Sequence, residues 1–261
     1  MLEIDLSQMQ PDFKKLLLVG PEGSGKTRFI GTMPKPICVC SFDKGISTLA
    51  GQDGIKAFVF MDNDRYSPKA WQEFKSFYSD LKAGKIQYTH PDGRKEPFKT
   101  LAIDSITALS KFVLDHANYV NNTVDTKGEN FNAYKQTKSF LEDVVVGGVL
   151  ATEYVVCTAI IEPDKDNLTG IISYLPSTEG KFRTEAGQWF DVVGFMSVDV
   201  NPTTKLPVYT MDLIGDRSRK AKIRIPANYQ LGGYVVTNPT YPGLLDAIKM
   251  GQVKVDAAKT K

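Results

Sequence analysis

The feature that most constrains the fold is an apolar run that leads into a glycine-rich turn, residues 16–30, with the sequence LLLVGPEGSGKTRFI. The turn matches the pattern GxxxxGK[ST] and lies between a short buried strand and the start of a helix, the context this pattern requires. Glycines let the backbone curl so that successive N–H groups point inward at phosphate oxygens, and the new helix adds its positive dipole end. The segment therefore predicts a nucleotide phosphate site.

The residues of this turn have predicted roles in binding ATP and Mg²⁺. Lys26 is expected to reach the β- and γ-phosphates, and the Thr27 hydroxyl is expected to bind the metal ion. The simpler alternative is a glycine-rich turn that only joins a strand to a helix. The predicted nucleotide contacts are Gly20, Pro21, Glu22, Gly23, Ser24, Gly25, Lys26, Thr27 and Arg28.

Composition limits the classes of protein that fit the chain. Its 261 residues are 42% hydrophobic and 24% charged, which is ordinary for a globular protein with a substantial core. The formal net charge is only +2, so a nucleic-acid site would have to be a local basic patch. No apolar run reaches the length of a membrane span, the N-terminus carries no signal-peptide pattern, and the three cysteines lie in apolar runs. We therefore expect buried reduced thiols, a cytoplasmic location and no membrane partner.

Apolar runs and helical periodicity predict an α/β fold. Strands are predicted at residues 16–19, 37–42, 57–61, 100–103 and 154–161. Helices are predicted at 67–82, 105–120 and 131–150, the last interrupted by Gly147 and Gly148, and a small hairpin at 86–98. After about residue 186, further strands follow without long helices, at 190–200, 208–213 and 221–225. The expected fold is a mainly parallel central sheet flanked by helices, with antiparallel β additions in the C-terminal third.

The chain is expected to divide into three regions. Residues 1–13 are predicted to form an N-terminal arm, residues 14–230 the nucleotide-binding core, and residues 231–261 a C-terminal helix and basic tail.

Two acidic residues that follow predicted strands are candidate catalytic groups. Asp104 ends the run Leu-Ala-Ile-Asp and is expected to bind Mg²⁺ together with Thr27, although it could instead cap the next helix. Ser105 follows it, so the sequence lacks the acid pair of ATPases that place a catalytic glutamate directly after the metal-binding aspartate. Asp43 leaves the second strand near the P-loop and is the candidate for activating water, or else a turn residue before Gly45. Asp62 and Asp64 are weaker alternatives for that role.

Basic residues later in the chain are candidates for DNA contact or for reaching the nucleotide of a neighbouring subunit. Strand alternation would place Lys220, Lys222 and Arg224 on one face. A solvated edge strand whose charges prevent pairing with another chain explains them equally well. Residues 162–185 mix aromatic and basic side chains, including Lys181 and Arg183, as loops that bind single-stranded nucleic acid do. An ordinary surface hairpin is the alternative for this segment.

Five segments spread over roughly residues 14–225 carry a family resemblance. They are GPEGSGKT at 20–27, SFDKGISTL at 41–49, LAIDSITAL at 101–109, VVCTAII at 155–161 and GKFRTEAGQWFDVVGFM at 180–196. Together they resemble the core of RecA-type recombinases, and more closely the short phage nucleotide-binding ATPases of the single-strand annealing or recombination-mediator kind. The segments at 20–27 and 101–109 are the most specific parts of this resemblance.

The resemblance implies a RecA-like ATPase that assembles into rings or filaments, with ATP at subunit interfaces and single-stranded DNA bound by loops near the axis. A phage origin, the bacterial host cytoplasm and a single-strand binding protein as a further partner would follow. In that family the carboxylate after the second strand is normally glutamate, whereas Asp43 is one methylene shorter. Two alternatives remain open: a small-molecule or nucleotide kinase, and a nucleotide-gated assembly protein with little turnover. A GTPase is disfavoured because no NKxD motif follows a strand.

Overall fold

A central β-sheet organises the chain, and helices connect most of its strands. The computed structural model describes residues 12–43, 45–62, 64–125, 131–226, 229 and 231–249, apart from the side chains of Phe131 and Lys249. The strands are β1 (Lys15–Val19), β2 (Ile37–Ser41), β3 (Ile55–Val59), β4 (Tyr88–Thr89), β5 (Lys95–Glu96), β6 (Thr100–Asp104), β7 (Tyr154–Ala159), β8 (Ile161–Lys165), β9 (Ile172–Pro176), β10 (Val192–Val200), β11 (Pro207–Asp212), β12 (Lys222–Ile223) and β13 (Val235–Thr237). The helices are α1 (Lys26–Ile30), α2 (Ala70–Lys82), α3 (Ile106–Val120), α4 (Phe131–Ala151), α5 (Phe182–Glu185) and α6 (Tyr241–Lys249).

The strand order of the sheet is β13-β11-β10-β1-β7-β6-β2-β3, with β12 also paired to β10. Neighbouring strands from β10 to β3 run parallel, whereas β11, β12 and β13 pair antiparallel. The predicted fold class is confirmed, because the sheet is mainly parallel, is flanked by helices, and gains its antiparallel strands in the C-terminal third.

Both faces of the central parallel strands β1, β7, β6 and β2 are covered, which explains why their sequences are mainly apolar. Leu17 and Val19 of β1 point into a cluster that contains buried residues from α2, α3 and α4. Leu16 and Leu18 point to the opposite face, where α1 and α6 pack. Successive side chains of a strand alternate between its faces, so one short apolar run contributes to two layers of core. The cysteines Cys38, Cys40 and Cys157 are buried free thiols in these layers, as predicted.

Two local expectations differ from the structure. The apolar run at 154–161 is not one strand: β7 ends at Ala159, and the chain turns into a separate hairpin of β8 and β9. Helix α4 continues through Gly147 and Gly148, which were expected to interrupt it. A methyl group on Gly148 would lie 2.7 Å from Cγ2 of Val155. The glycine therefore lets the helix lie close against the sheet, and this packing outweighs the low helix propensity of glycine.

The ends of the described chain pack onto the same core. Most of the predicted N-terminal arm and the tail after residue 249 lie outside the described residues, but Phe13 is buried. The hydroxyl of Tyr241 in α6 donates a 3.4 Å hydrogen bond to the carbonyl oxygen of Phe13. Leu244 and Ile248 of the same helix are fully buried. Among the described residues, no helix combines the length and the apolarity that crossing a membrane requires.

Candidate nucleotide-binding site

The glycine-rich turn joins the end of β1 to the start of α1. Gly23 and Gly25 have φ angles of 74° and 87°, in the left-handed region that favours glycine. At Gly20 a methyl group would lie 2.3 Å from the carbonyl oxygen of Met196, so this position has no room for a side chain. The loop therefore has the curled backbone that the motif predicts, with α1 starting at Lys26.

Lys26 extends back over the loop that precedes it. Its Nζ donates hydrogen bonds of 2.8 Å and 2.7 Å to the carbonyl oxygens of Gly20 and Pro21. Burial lowers the pKa of Lys26, and nearby carboxylates, Asp104 foremost, act in the opposite direction. The ammonium group therefore lies within the loop, where it can neutralise the charge of bound phosphates.

Asp104 lies at the end of β6 and is 4% exposed. Its Oδ2 accepts a 2.8 Å hydrogen bond from the Thr27 hydroxyl, and its Oδ1 accepts one from the Thr158 hydroxyl. Burial raises the pKa of Asp104, while the two hydroxyl donors act to lower it. The cap of helix α3 is Ser105, whose hydroxyl accepts a hydrogen bond from the backbone N–H of Ala108. The side chain of Asp104 is therefore directed at the P-loop rather than at the helix.

The strand order explains the second hydroxyl donor to Asp104. Strand β7 lies between β1 and β6, so Thr158 reaches Asp104 from the neighbouring strand. The next residue, Ala159, accepts a 3.2 Å hydrogen bond at its carbonyl from the N–H of Gly20. The sequence analysis did not select Thr158; the signal that could have found it is a hydroxyl group inside an otherwise apolar strand.

The side chains at this edge of the sheet suit Mg²⁺. Thr27 and Asp104 offer hydroxyl and carboxylate oxygens, which are the ligands that this hard cation prefers. Their hydrogen bond brings the two predicted metal ligands into direct contact although they are 77 residues apart in sequence. The pair fits the ion that the motif implies.

Asp43 follows β2 and is half-buried. Its Oδ1 accepts a 2.8 Å hydrogen bond from the N–H of Gly45, which is the turn role that the sequence left open. Its negative charge contributes to the raised pKa of Asp104. The same charge acts to raise the pKa of Lys26, against the effect of burial, so Asp43 lies near the P-loop. Asp62 and Asp64, the weaker alternatives, accept hydrogen bonds from backbone N–H groups at the start of α2 and in a turn.

The segment 162–185 is a hairpin followed by a short helix, which matches the simpler alternative for this segment. Arg183 donates hydrogen bonds of 2.6 Å and 2.5 Å to Glu162 and Asp164. These two carboxylates of the hairpin strand β8 compensate the charge of Arg183 in α5. Lys181, in contrast, is exposed and has no ion pair in the part of the chain that the structure describes.

The basic segment near residue 220 is only partly a strand, since β12 consists of Lys222 and Ile223. Lys222 donates a hydrogen bond to the carbonyl oxygen of Gly187. Arg224 donates a 2.7 Å hydrogen bond to the carbonyl oxygen of Gln188 and lies 3.5 Å from a carboxylate oxygen of Asp191. Lys220 is exposed. Two of the three candidate cations are therefore engaged with the segment that leads into β10.

Comparison with known proteins identifies the family of the chain. A family model described as an AAA domain matches residues 12–225. This chain belongs to the AAA domain family. The match spans the P-loop, Asp104 and the segment near residue 220, so these features belong to one AAA domain. It is a nucleotide-binding P-loop ATPase domain.

The other two comparisons add little to this assignment. No curated protein sequence matches the chain. Among solved structures, the AAA domain is similar to a KaiC-like protein from the hyperthermophilic archaeon Pyrococcus horikoshii, with 14% sequence identity and a TM-score of 0.40. That similarity covers 86% of this chain and 88% of the other.

Proposed function

We propose that this AAA domain binds ATP with Mg²⁺, hydrolyses it, and couples hydrolysis to single-stranded DNA in a homo-oligomeric ring or filament. The observation that carries the nucleotide part is the convergence of Lys26, Thr27 and Asp104 at one edge of the sheet. The DNA part, the assembly and a role in phage recombination rest on the resemblance to RecA-type proteins and on the cations described below.

Each residue of the site has a defined task in hydrolysis. The N–H groups of the loop hold the phosphates, and Lys26 neutralises their charge. Thr27 and Asp104 would hold Mg²⁺, which when bound would neutralise charge that develops on the phosphate oxygens. Asp43 accepts a proton from the attacking water as its oxygen bonds to the γ-phosphorus and the bond to the β–γ bridging oxygen breaks.

A cleft beside α4 and α5 supports contact with single-stranded DNA. It has a volume of about 530 Å³ and contains the aromatic ring of Tyr134 together with Lys135 and Lys181. Both lysines are exposed, and neither has an ion pair among the described residues. An aromatic ring in the same cleft as two lysines without ion pairs suits bases that stack and phosphates that need counter-charges.

The deciding experiment measures ATP hydrolysis with and without single-stranded DNA, for the wild type, Lys26→Ala and Lys135→Ala/Lys181→Ala. We expect DNA-stimulated turnover that Lys26→Ala abolishes, and a loss of stimulation but not of basal turnover in the double variant. Turnover that DNA leaves unchanged would overturn the DNA-dependent part of the proposal. Transfer of phosphate to nucleotides in the same assay would favour a kinase instead.

A second candidate function is a nucleotide-gated assembly protein with little turnover. The hydrogen bond between Asp43 and the N–H of Gly45 favours it, because that bond gives the aspartate a structural role. The two candidates differ in a size measurement with ATP and Mg²⁺. Assembly on ATP binding without measurable hydrolysis would support the second, whereas assembly with steady turnover would support the first.

A further inference from the structure

The sheet places different structures on the two sides of the P-loop strand. On one side of β1 lie β7 and then β6, which carries Asp104. On the other side lie β10 and then β11. The contact between Thr27 and Asp104 marks the first side as the end that holds the metal and the terminal phosphates. Because the base and the γ-phosphate are at opposite ends of a nucleoside triphosphate, its base is expected on the second side.

Strands β10 and β11 extend past the P-loop on that second side. Phe195 of β10 pairs with Val19 at the end of β1, and β10 then continues to Val200. In this extension Val198 pairs with Tyr209 of β11. Tyr209 is on the same face of β11 as Met211, which is buried in the cluster that contains α1. Tyr209 therefore lies beyond the end of β1, on the face of the sheet where α1 packs.

The ring of Tyr209 contacts the phosphate loop directly. A methyl group on Gly25 would lie 2.8 Å from Cδ1 of Tyr209, so the ring fills the space beside this glycine. The Arg28 guanidinium lies 5.4 Å from the centre of the same ring. Tyr209 is half-buried and Arg28 is exposed, so a planar ligand can reach both groups.

The backbone of Tyr209 is fixed from the far side by Asn238. The Tyr209 carbonyl oxygen accepts a 2.7 Å hydrogen bond from the N–H of Asn238, and the Tyr209 N–H donates a 3.3 Å bond to Oδ1 of Asn238. These two bonds fix the backbone that carries the ring, so little backbone freedom is lost when the ring binds a ligand.

We propose that Tyr209 and Arg28 form the base subsite of the nucleotide site, where the purine ring of a nucleoside triphosphate stacks on their planar groups. This inference rests on the proposed nucleotide-binding function and adds the residues that contact the base. Aromatic rings and guanidinium planes stack on a base without reading its hydrogen-bonding edge. A purine has the larger ring area, so ATP and GTP are expected to bind more tightly than UTP.

The test compares the binding of ATP, UTP and inorganic tripolyphosphate by calorimetry, with Mg²⁺ present. Tripolyphosphate occupies the phosphate loop without a base. The variants are Tyr209→Leu, Tyr209→Phe and Arg28→Ala, and Tyr119→Leu is the control, because Tyr119 is 45% exposed on α3. Circular dichroism and thermal unfolding establish that each variant folds.

We expect Tyr209→Leu to weaken ATP binding about tenfold or more, while tripolyphosphate binding stays within about twofold. Tyr209→Phe keeps the ring and should bind ATP as the wild type does, whereas Arg28→Ala should lose a few-fold in ATP affinity alone. Unchanged ATP affinity in Tyr209→Leu would overturn the subsite. Equal losses for ATP and tripolyphosphate would also overturn it, because Tyr209 would then only support the loop.

Two further outcomes separate this inference from the proposed function. A wild type that binds ATP and tripolyphosphate equally would overturn the base subsite and leave nucleotide binding intact. A wild type that binds neither would overturn the proposed function, and the subsite with it. If Tyr209→Leu does not fold, Arg28→Ala decides, since a selective loss of ATP supports the subsite and any other result contradicts it.

Discussion

The hydroxyl of Thr27 and the carboxylate of Asp104 are joined by a 2.8 Å hydrogen bond that links the start of α1 to the end of β6. Both groups are oxygen ligands, and the same geometry that lets them bond to each other lets them share a cation. This contact connects the phosphate loop to the acidic group that the sequence places 77 positions later.

Removing the Thr27 hydroxyl should weaken metal-dependent binding of the nucleotide. Thr27→Val keeps the shape of the side chain but removes the oxygen, so we expect ATP affinity in Mg²⁺ to fall about 10- to 100-fold. Thr27→Ser keeps the oxygen and is the matched control. Titration of ATP with Mg²⁺ and with EDTA checks this, and equal affinities of the Val variant and the wild type in Mg²⁺ would contradict it.

Replacing the Asp104 carboxylate should change how stability depends on pH. Burial raises the pKa of Asp104 above its ordinary value of 3.8, so the folded protein binds this proton more tightly than the unfolded chain. The stabilisation from that proton is complete below pH 3.8 and is lost as pH rises through the raised pKa. The unfolding free energy of Asp104→Asn, minus that of the wild type, should therefore increase with pH across this window.

Urea denaturation in EDTA at several pH values measures this difference. A difference that stays constant with pH would show that the carboxyl group has the same affinity for protons in the folded and unfolded states. The same variant should lose ATP hydrolysis in Mg²⁺, because an amide cannot supply the negative charge that the proposed metal site would need.

Asp43 can be tested with a variant that preserves its turn. The side-chain oxygen of Asn can accept the hydrogen bond from the N–H of Gly45, as Asp43 does now, but the amide cannot accept a proton. If Asp43 activates water, Asp43→Asn should reduce turnover about 10²- to 10⁴-fold and leave ATP affinity nearly unchanged. Single-turnover hydrolysis and an ATP titration measure the two quantities. Normal turnover would show that Asp43 has only its structural role in the turn.

The two glycines of α4 should respond differently to alanine. Gly148→Ala places a methyl group 2.7 Å from Val155 Cγ2, and the overpacking should cost about 1–3 kcal/mol of unfolding free energy. At Gly147 the nearest atoms belong to the tips of the Tyr78 and Asp143 side chains, which can move. Gly147→Ala should therefore be close to neutral, because higher helix propensity offsets the adjustment. Equal effects in chemical denaturation would contradict the close packing of α4 on β7.

Arg183 and Lys181 should have separable effects. Arg183 bonds to Glu162 and Asp164 and is about one-third exposed, so Arg183→Met should cost about 1–2 kcal/mol of stability. The exposed Lys181 should tolerate Lys181→Met within about 0.5 kcal/mol, yet lose affinity for single-stranded DNA. Thermal unfolding and DNA titration at fixed salt measure both effects. A larger loss of DNA affinity in Arg183→Met than in Lys181→Met would reverse these roles.

The sequence was most informative where the structure depends on local pattern. The P-loop could be predicted because its glycines, Lys26 and Thr27 act within eight consecutive residues. Asp104 could be selected because an apolar run ends in an acidic residue there. The sequence analysis placed Asp104 beside Thr27 only as a second metal ligand, and the direct hydrogen bond between the two is an observation of the structure.

Features that depend on strand neighbours could not be predicted from the residues alone. The contact of Thr158 with Asp104 requires β7 to lie between β1 and β6. The sequence of an apolar strand does not indicate which strands will flank it. The position of Tyr209 beside Gly25 depends on the register between β10 and β11. The ion pairs of Arg183 depend on how the hairpin folds back, and composition alone made that residue resemble a free cation.

Strand β7 is hydrogen-bonded both to Asp104 and to the P-loop. At the end of β7, the Thr158 hydroxyl donates to Asp104 and the carbonyl of Ala159 accepts from Gly20. Two residues after Ala159 the chain enters the hairpin. A shift of the carboxylate or of the phosphate loop must either break one of these bonds or pull on the strand. The hairpin is therefore mechanically linked to the nucleotide site through β7, and a displacement at the site would move the outer end of the hairpin.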